Sequence, residues 1–262
     1  MKATLITLLS LFVLFSCKSD QEKAVESDLA DAKVESTQEP ASIEVIPISH
    51  ATMVLEWGEQ VIYVDPVGGK AAFDGQPAPD LILVTDIHGD HLNAETLAAV
   101  STKETMIIVP QAVADKLDKN LSGNLEILDN GQKKSIMGIK IEGIPMYNLR
   151  EEALKFHVKG RGNGYVLEKD GDRVYISGDT EDIPEMRNLK DIDLAFVCMN
   201  LPYTMTVESA ANAVLDFAPE TVIPYHYRGT EGLSDTKKFS DLVTSGNSEI
   251  EVVQFNWYPS TE

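Results

Sequence analysis

From residue 43 onward the chain alternates short apolar runs with polar turns. Ile43 to Ile48, Thr52 to Trp57 and Gln60 to Asp65 are rich in β-branched residues, and Gly58-Glu59 parts the last two as a hairpin turn does. Leu81 to Thr85 is a continuous apolar run closing on threonine, the pattern of a strand covered on both faces. Further strands are predicted over Met106 to Val109, Leu125 to Leu128, Lys134 to Ile144, Gly164 to Lys169, Arg173 to Ser177, Leu194 to Cys198, Thr221 to Tyr225 and Ile250 to Phe255. Helical spacing falls between them. Asn93 is placed to cap Ala94 to Val100, Gln111 to Leu117 fits a short helix, and Ser234 to Val243 fits another. The strongest helix starts at Thr206, carries Val207, Ala211, Val214 and Leu215 on one face, and stops at Pro219. Early hairpins followed by strand–helix alternation predict one α/β domain, with two sheets and helices outside them.

The first 42 residues follow other rules. Met1-Lys2 precedes an apolar run from Ala3 to Phe15. That run is shorter than the roughly 20 residues a membrane-spanning helix needs, and has the length of a secretory signal. It closes on Leu14-Phe15-Ser16-Cys17, which resembles a bacterial lipobox. The resemblance implies a signal peptide over 1–17, cleavage before a lipidated Cys17, and an exported protein anchored in the bacterial cell envelope. A plain signal peptide or an uncleaved anchor are the alternatives. Residues 18–42 are rich in Ser, Gln, Glu, Asp and Lys and hold no aromatic residue. Such a stretch buries too little apolar surface to offset chain entropy, so it is expected to be an acidic tether to a domain over 43–262.

Charge narrows the partners. Lys and Arg number 22 against 42 Asp and Glu, a net −20. A nucleic-acid binder needs a basic face to displace phosphate counterions, so nucleic acid is excluded as a general partner. Two cysteines in the whole chain exclude a disulfide scaffold and a cysteine-built zinc site. Cys198 ends an apolar run and reads as a buried strand thiol.

Polar residues with chemistry in them gather at strand ends. Asp86-Ile87-His88-Gly89-Asp90-His91 follows directly on a buried strand and offers four metal-binding side chains within six residues. Gly89 lets the chain turn tightly there. Mixed imidazole and carboxylate suit zinc, iron or manganese; a polar loop with chance histidines is the plainer alternative. Gly178-Asp179-Thr180 ends another strand, His226 a third, and His157 precedes the glycine-rich Lys159-Gly-Arg-Gly-Asn-Gly164. Sites in α/β folds collect at such ends. Gly160, Gly162 and Gly164 lack the Gly-Lys-Ser/Thr ending of a phosphate loop, and no Gly-x-Ser-x-Gly elbow supplies a serine nucleophile.

The order Asp-x-His-x-Asp-His, His157, Gly178-Asp179-Thr180, His226 resembles the metallo-β-lactamase superfamily, and within it the ascorbate-phosphate lactonase-like branch of metal-dependent hydrolases. Ser49-His50-Ala51, Tyr63-Val-Asp-Pro66, Gly162-Asn-Gly-Tyr165, Pro202-Tyr-Thr-Met205 and Pro224-Tyr-His-Tyr-Arg-Gly229 support the likeness over about residues 43–257. It implies a single-domain four-layer αββα sandwich. It implies His88 and His157 at a first metal, Asp90, His91 and His226 at a second, and Asp179 between them. Asp86 stands where the family usually has His. A carboxylate there is a harder ligand, which favours manganese or iron or leaves that site weakly filled, so one or two zinc ions, or manganese or iron, are all open. Tyr147 and Asn148 stay open as alternatives to His157. The activity implied is hydrolysis of a small ester, lactone or phosphoester by a metal-activated hydroxide, with Asp90 and Asp179 catalytic and His50, Arg161 and Tyr203 against the substrate. Lys159 is a further candidate for holding an anionic group. A phosphodiesterase or phospholipase acting on lipid headgroups, or a non-catalytic binding lipoprotein on the same fold, are the alternatives.

Overall fold

The computed structural model describes residues 43–117 and 124–259. The expected signal segment, Cys17 and the tether lie outside the described residues. Strands β1 (Ile43–Ser49), β2 (Thr52–Trp57), β3 (Gln60–Val64), β4 (Leu81–Leu83), β5 (Met106–Val109) and β6 (Asn124–Ile127) lie side by side in that order. β1 to β3 form an antiparallel meander, and β3 to β6 run parallel. Parallel neighbours need a crossover, and α1 (Ala94–Val100) and α2 (Gln111–Ala114) supply two of them.

The second sheet contains β7 (Lys133–Ile136), β8 (Ile139–Met146), β9 (Gly162–Lys169), β10 (Asp172–Ile176), β11 (Leu194–Cys198) and β12 (Thr221–Tyr225). A small hairpin of β13 (Arg228–Gly229) and β14 (Gly232–Leu233) stands apart, and β15 (Glu251–Val252) adds an edge to β12. The order is β15-β12-β11-β10-β9-β8-β7. β7 to β10 are antiparallel, whereas β10, β11, β12 and β15 run parallel. The helices of this half are α3 (Pro184–Arg187), α4 (Val207–Phe217) and α5 (Thr236–Gly246).

The alternation along the first sheet shows what holds the layers together. Met53, Leu55, Trp57, Ile62, Val64, Leu81, Leu83 and Ile108 belong to the core shared with the second sheet. Their neighbours Val54, Tyr63, Ile82, Ile107 and Val109 join a separate cluster with Leu97 of α1 and Val113 of α2. Successive strand side chains point to opposite faces, so an all-apolar strand fills both clusters at once. On the far side, α4 buries Ala210, Ala211, Ala213, Val214 and Phe217. Its Thr206 side chain accepts from Ser209 N, a cap worth about 1 kcal/mol. The result is helix, sheet, sheet, helix: the expected αββα sandwich.

Three details differ from expectation. The single strand expected over Lys134 to Ile144 is two, β7 and β8, joined at Met137-Gly138 with φ of +50° and +82°. That is a two-residue hairpin whose central residues are both left-handed, and the apolar Ile136-Met137 hides it from a hydropathy reading. The strand expected over Ile250 to Phe255 pairs only at Glu251–Val252. The short helix α3, opened by Pro184, carries no amphipathic stripe to announce it.

Candidate metal centre

Strand ends from both sheets meet at one rim of the sandwich. β4 leads into the loop holding Asp86, His88, Asp90 and His91. β10 delivers Asp179 and β12 delivers His226, while His157 comes from the segment between β8 and β9. His226, His50 and Asp65 have φ of +46°, +56° and +45°. Non-glycine residues are costly in that conformation, and it marks places where packing overrides local preference.

Asp90, His91, Asp179 and His226 form one cluster. The Nε2 atoms of His91 and His226 lie 3.1 Å apart. Asp179 Oδ2 is 3.3 Å from His91 Nε2, and Asp179 Oδ1 is 3.1 Å from His226 Nε2. Asp90 Oδ2 is 3.5 Å from His226 Nε2. Donors bound at 2.0–2.1 Å to a tetrahedral cation stand about 3.4 Å from one another, so these separations match the edges of a coordination polyhedron. Asp179 Oδ1 and His157 Nε2 are buried and lack hydrogen-bond partners, which is costly unless a cation meets them. Charge tells the same story. Burial opposes ionisation of Asp179, yet the imidazoles of His226, His91 and His157 hold it well below the usual carboxylate range. Burial likewise opposes protonation of His91, but Asp179 and Asp65 raise its proton affinity well above the ordinary value. The donor set therefore fits a divalent cation.

Asp86, His88 and His157 form the second cluster. His157 is its link to the first: Nε2 is 3.1 Å from Asp179 Oδ2 and 4.0 Å from Asp86 Oδ2, and Nδ1 donates to Tyr203 O at 3.1 Å. The alternatives to His157 do other work. Asn148 donates to the carbonyls of Ala153 and Tyr203, and the Tyr147 hydroxyl donates to Glu185. Asp86 accepts from His88 Nδ1 at 2.8 Å and takes both arms of the Arg161 guanidinium, Nε to Oδ1 at 3.0 Å and Nη2 to Oδ2 at 2.8 Å. Burial opposes its charge, but His88, His91 and Arg161 hold its carboxyl below the usual range.

A cavity of about 290 Å³ opens over these clusters, lined by His50, His88, Asp90, Phe156, His157 and Tyr203 among others. Of the three residues expected against the substrate, His50 and Tyr203 line this cavity. Arg161 does not line it: its guanidinium is spent on Asp86 and on Phe156 O at 2.6 Å. Lys159 pairs with Glu185 at 2.8 Å instead of facing the cavity. Arg228 takes the open place. It lines the cavity, stacks 4.0 Å over the Tyr258 ring, and pairs with no carboxylate among the described residues.

Contributors behind the clusters escaped the sequence reading. Asp65 accepts from His91 Nδ1 at 2.8 Å, and is itself bound by Thr85 N at 2.7 Å. The Asn200 amide lies 3.1 Å from His226 Nδ1. The Tyr258 hydroxyl lies 2.7 Å from His50 Nδ1, and Arg228 N donates to the same oxygen. Burial lowers the proton affinity of His50 and raises the pKa of Tyr258, so the phenol keeps its proton and donates to a neutral imidazole. His50 Nε2 is then left facing Asp90 Oδ2 at 3.4 Å. A histidine ligand needs a partner on its far nitrogen, which is the one signal that could have led to Asp65 and Asn200.

Residues 44–226 match the β-lactamase superfamily domain. Over 210 residues the chain is 31% identical to a UPF0173 metal-dependent hydrolase of Thermococcus onnurineus, covering 77% of this chain and 92% of the relative. A solved structure described as a metal-dependent hydrolase from Parabacteroides distasonis is 40% identical, with a TM-score of 0.70 over 81% of this chain and 92% of that one. Igni18, a metallo hydrolase of the archaeon Ignicoccus hospitalis, shares the fold at 21% identity and a TM-score of 0.69, over 82% and 95% of the two chains.

Proposed function

The chain belongs to the metallo-β-lactamase superfamily, among its metal-dependent hydrolases, and from that premise we propose that it hydrolyses a small ester, lactone or phosphoester at a divalent-cation centre. Zinc is the first candidate, with manganese and iron close behind on the same donors. The observation that carries the reading is the convergence of Asp90, His91, Asp179 and His226, from three separate strand ends, on one point at ligand-to-ligand spacing.

When bound, the cation supplies a Lewis acid for the substrate oxygen and lowers the pKa of a water. The rest falls to the chain. Asp179 directs one oxygen at His226 and the other at His91 and His157, tying the two clusters together. Asp90, with a side chain 42% exposed, is the carboxylate that reaches both cavity and solvent; burial opposes its charge, yet His226, His50 and His91 hold it well below the usual carboxylate range, so it orients the attacking water by accepting a hydrogen bond at Oδ2. His50 Nε2 faces that oxygen at 3.4 Å, and the Tyr258 hydroxyl, 2.7 Å from His50 Nδ1, sets the orientation of the ring. Arg228 receives the negative charge of the substrate's acyl or phosphoryl portion, while Phe156 and Tyr203, packed edge to face at 5.1 Å, wall off water.

Full chain loaded with metal should turn over at least one class in a panel of esters, lactones and phosphoesters. His91→Ala and Asp179→Ala should lower that rate by at least about a thousandfold while preserving the circular dichroism spectrum. Arg228→Ala should raise KM for an anionic substrate about tenfold, the worth of one charge-assisted hydrogen bond, and move kcat less. Undiminished hydrolysis by His91→Ala would sink the reading.

A further inference from the structure

We propose that the Arg161 guanidinium stands in for a second cation, so that the centre holds one divalent ion tightly, at Asp90, His91, Asp179 and His226, rather than a matched pair. The inference rests on the reading of these clusters as a metal centre and concerns how many ions it takes.

Asp86 is already neutralised from within the chain. Its side chain is wholly buried, and Arg161 meets it in the two-armed geometry that matches a planar guanidinium to a carboxylate. The same Nη2 donates to Phe156 O at 2.6 Å and stands 3.5 Å from His88 Nε2. The guanidinium is therefore anchored at three points and lies against the very side chains a second ion would need. A lysine in such a place can shed its proton to make room. An arginine keeps its charge.

Charge arithmetic separates the two clusters. Around the first stand Asp90 and Asp179, with Asp65 directly behind His91, three negative charges and two imidazoles. Around the second, Asp86 and Arg161 cancel, which leaves His88 and His157 and a share of Asp179. A doubly charged ion gains far more from the first arrangement, and at the second it also meets a permanent positive charge within a few ångströms. A histidine at position 86 would leave no carboxylate for Arg161 to grip. Aspartate and arginine read together as one device: a fixed cation built into the chain beside the side chains that a second ion would use.

The test is a metal count on the full chain. Protein stripped by chelator, reloaded with manganese and desalted should retain one ion. His88→Ala should keep that ion and His91→Ala should lose it. Arg161→Gln should bind a second manganese at least about tenfold more tightly than the parent chain, with a spin-coupled pair in the electron paramagnetic resonance spectrum. Should Arg161→Gln misfold from a buried unpaired Asp86, the double change Asp86→His with Arg161→Gln leaves no such charge and should bind two. A parent chain that retains two ions, one of them lost in His88→Ala, overturns the proposal while leaving the metal centre intact. So does a folded Arg161→Gln, or a folded double variant, that gains no second ion. A chain that takes up no manganese, zinc or iron overturns the metal centre itself, a result distinct from the other two.

Discussion

At His91 the two ring nitrogens have separate tasks. Nε2 faces Asp179 and His226, and Nδ1 donates to Asp65, a carboxylate buried completely behind the centre. Burial raises the pKa of Asp65, so its charge is maintained only by partners, and Thr85 supplies two hydrogen bonds to it besides that of His91. That carboxylate fixes the tautomer and strengthens the imidazole as a donor. Asp65→Asn keeps the shape and one acceptor oxygen but removes the charge. It should weaken metal affinity about 10- to 100-fold, the usual cost of losing such a partner, with little change in the melting temperature of metal-free protein. Competition against a chelator of known affinity reads the first quantity, and an unchanged affinity contradicts the assigned role. The two clusters were legible in part because Asp86, His88, Asp90 and His91 crowd six consecutive residues. Asp65 precedes His91 by 26 residues and Arg161 follows Asp86 by 75, and such pairings exist only once the chain has folded.

At the scale of elements, the glycines around β9 had been set aside as lacking a phosphate-loop ending, and the packing gives their reason. A Cβ on Gly164 would sit 2.8 Å from both Ile176 O and Ser177 O, backbone atoms of the neighbouring strand that cannot rotate away. β10 ends at Ile176, and Asp179 follows three residues later, so any outward shift of that strand end displaces the residue shared by both clusters. Gly164→Ala should therefore cost about 1–3 kcal/mol of stability, the range for forcing extra atoms into a packed site, and should weaken metal binding at the same time. Urea unfolding followed beside metal titration tests both; a loss of stability with full metal affinity would show that β10 yields elsewhere. Most of the sandwich was legible because its strands are apolar on both faces and its main helix is capped by Thr206 and stopped before Pro219. What stayed hidden was local geometry that leaves no hydropathy signal. The left-handed pair Met137-Gly138 splits one expected strand in two, and α3 spans four residues.

For the molecule as a whole, charge and acyl chains decide where it works. A net −20 opposes adsorption to an anionic lipid surface, so electrostatics would not hold this protein at a membrane. A lipidated Cys17 would. Each buried methylene contributes about 0.8 kcal/mol, and while one acyl chain binds only marginally, two or more anchor stably. The full chain produced in a bacterium should accordingly fractionate with membranes, enter the detergent phase on phase separation, and stay there through a high-salt wash. Cys17→Ser should move to the aqueous phase with unchanged kcat/KM on a water-soluble substrate, because the residues assigned to the centre begin at His50 in the sequence. Wild-type protein found in the aqueous phase argues for an ordinary cleaved signal, and Cys17→Ser retained in the membrane argues for an uncleaved apolar anchor; either removes the lipoprotein reading. The same preparations discriminate between substrates. If the enzyme's task were lipid headgroups, release from the membrane would lower turnover of vesicle-borne phosphodiesters while leaving that of soluble esters and lactones untouched. Equal activity of the two forms on soluble esters and lactones, with none on headgroups, assigns the cavity of about 290 Å³ to small diffusible molecules.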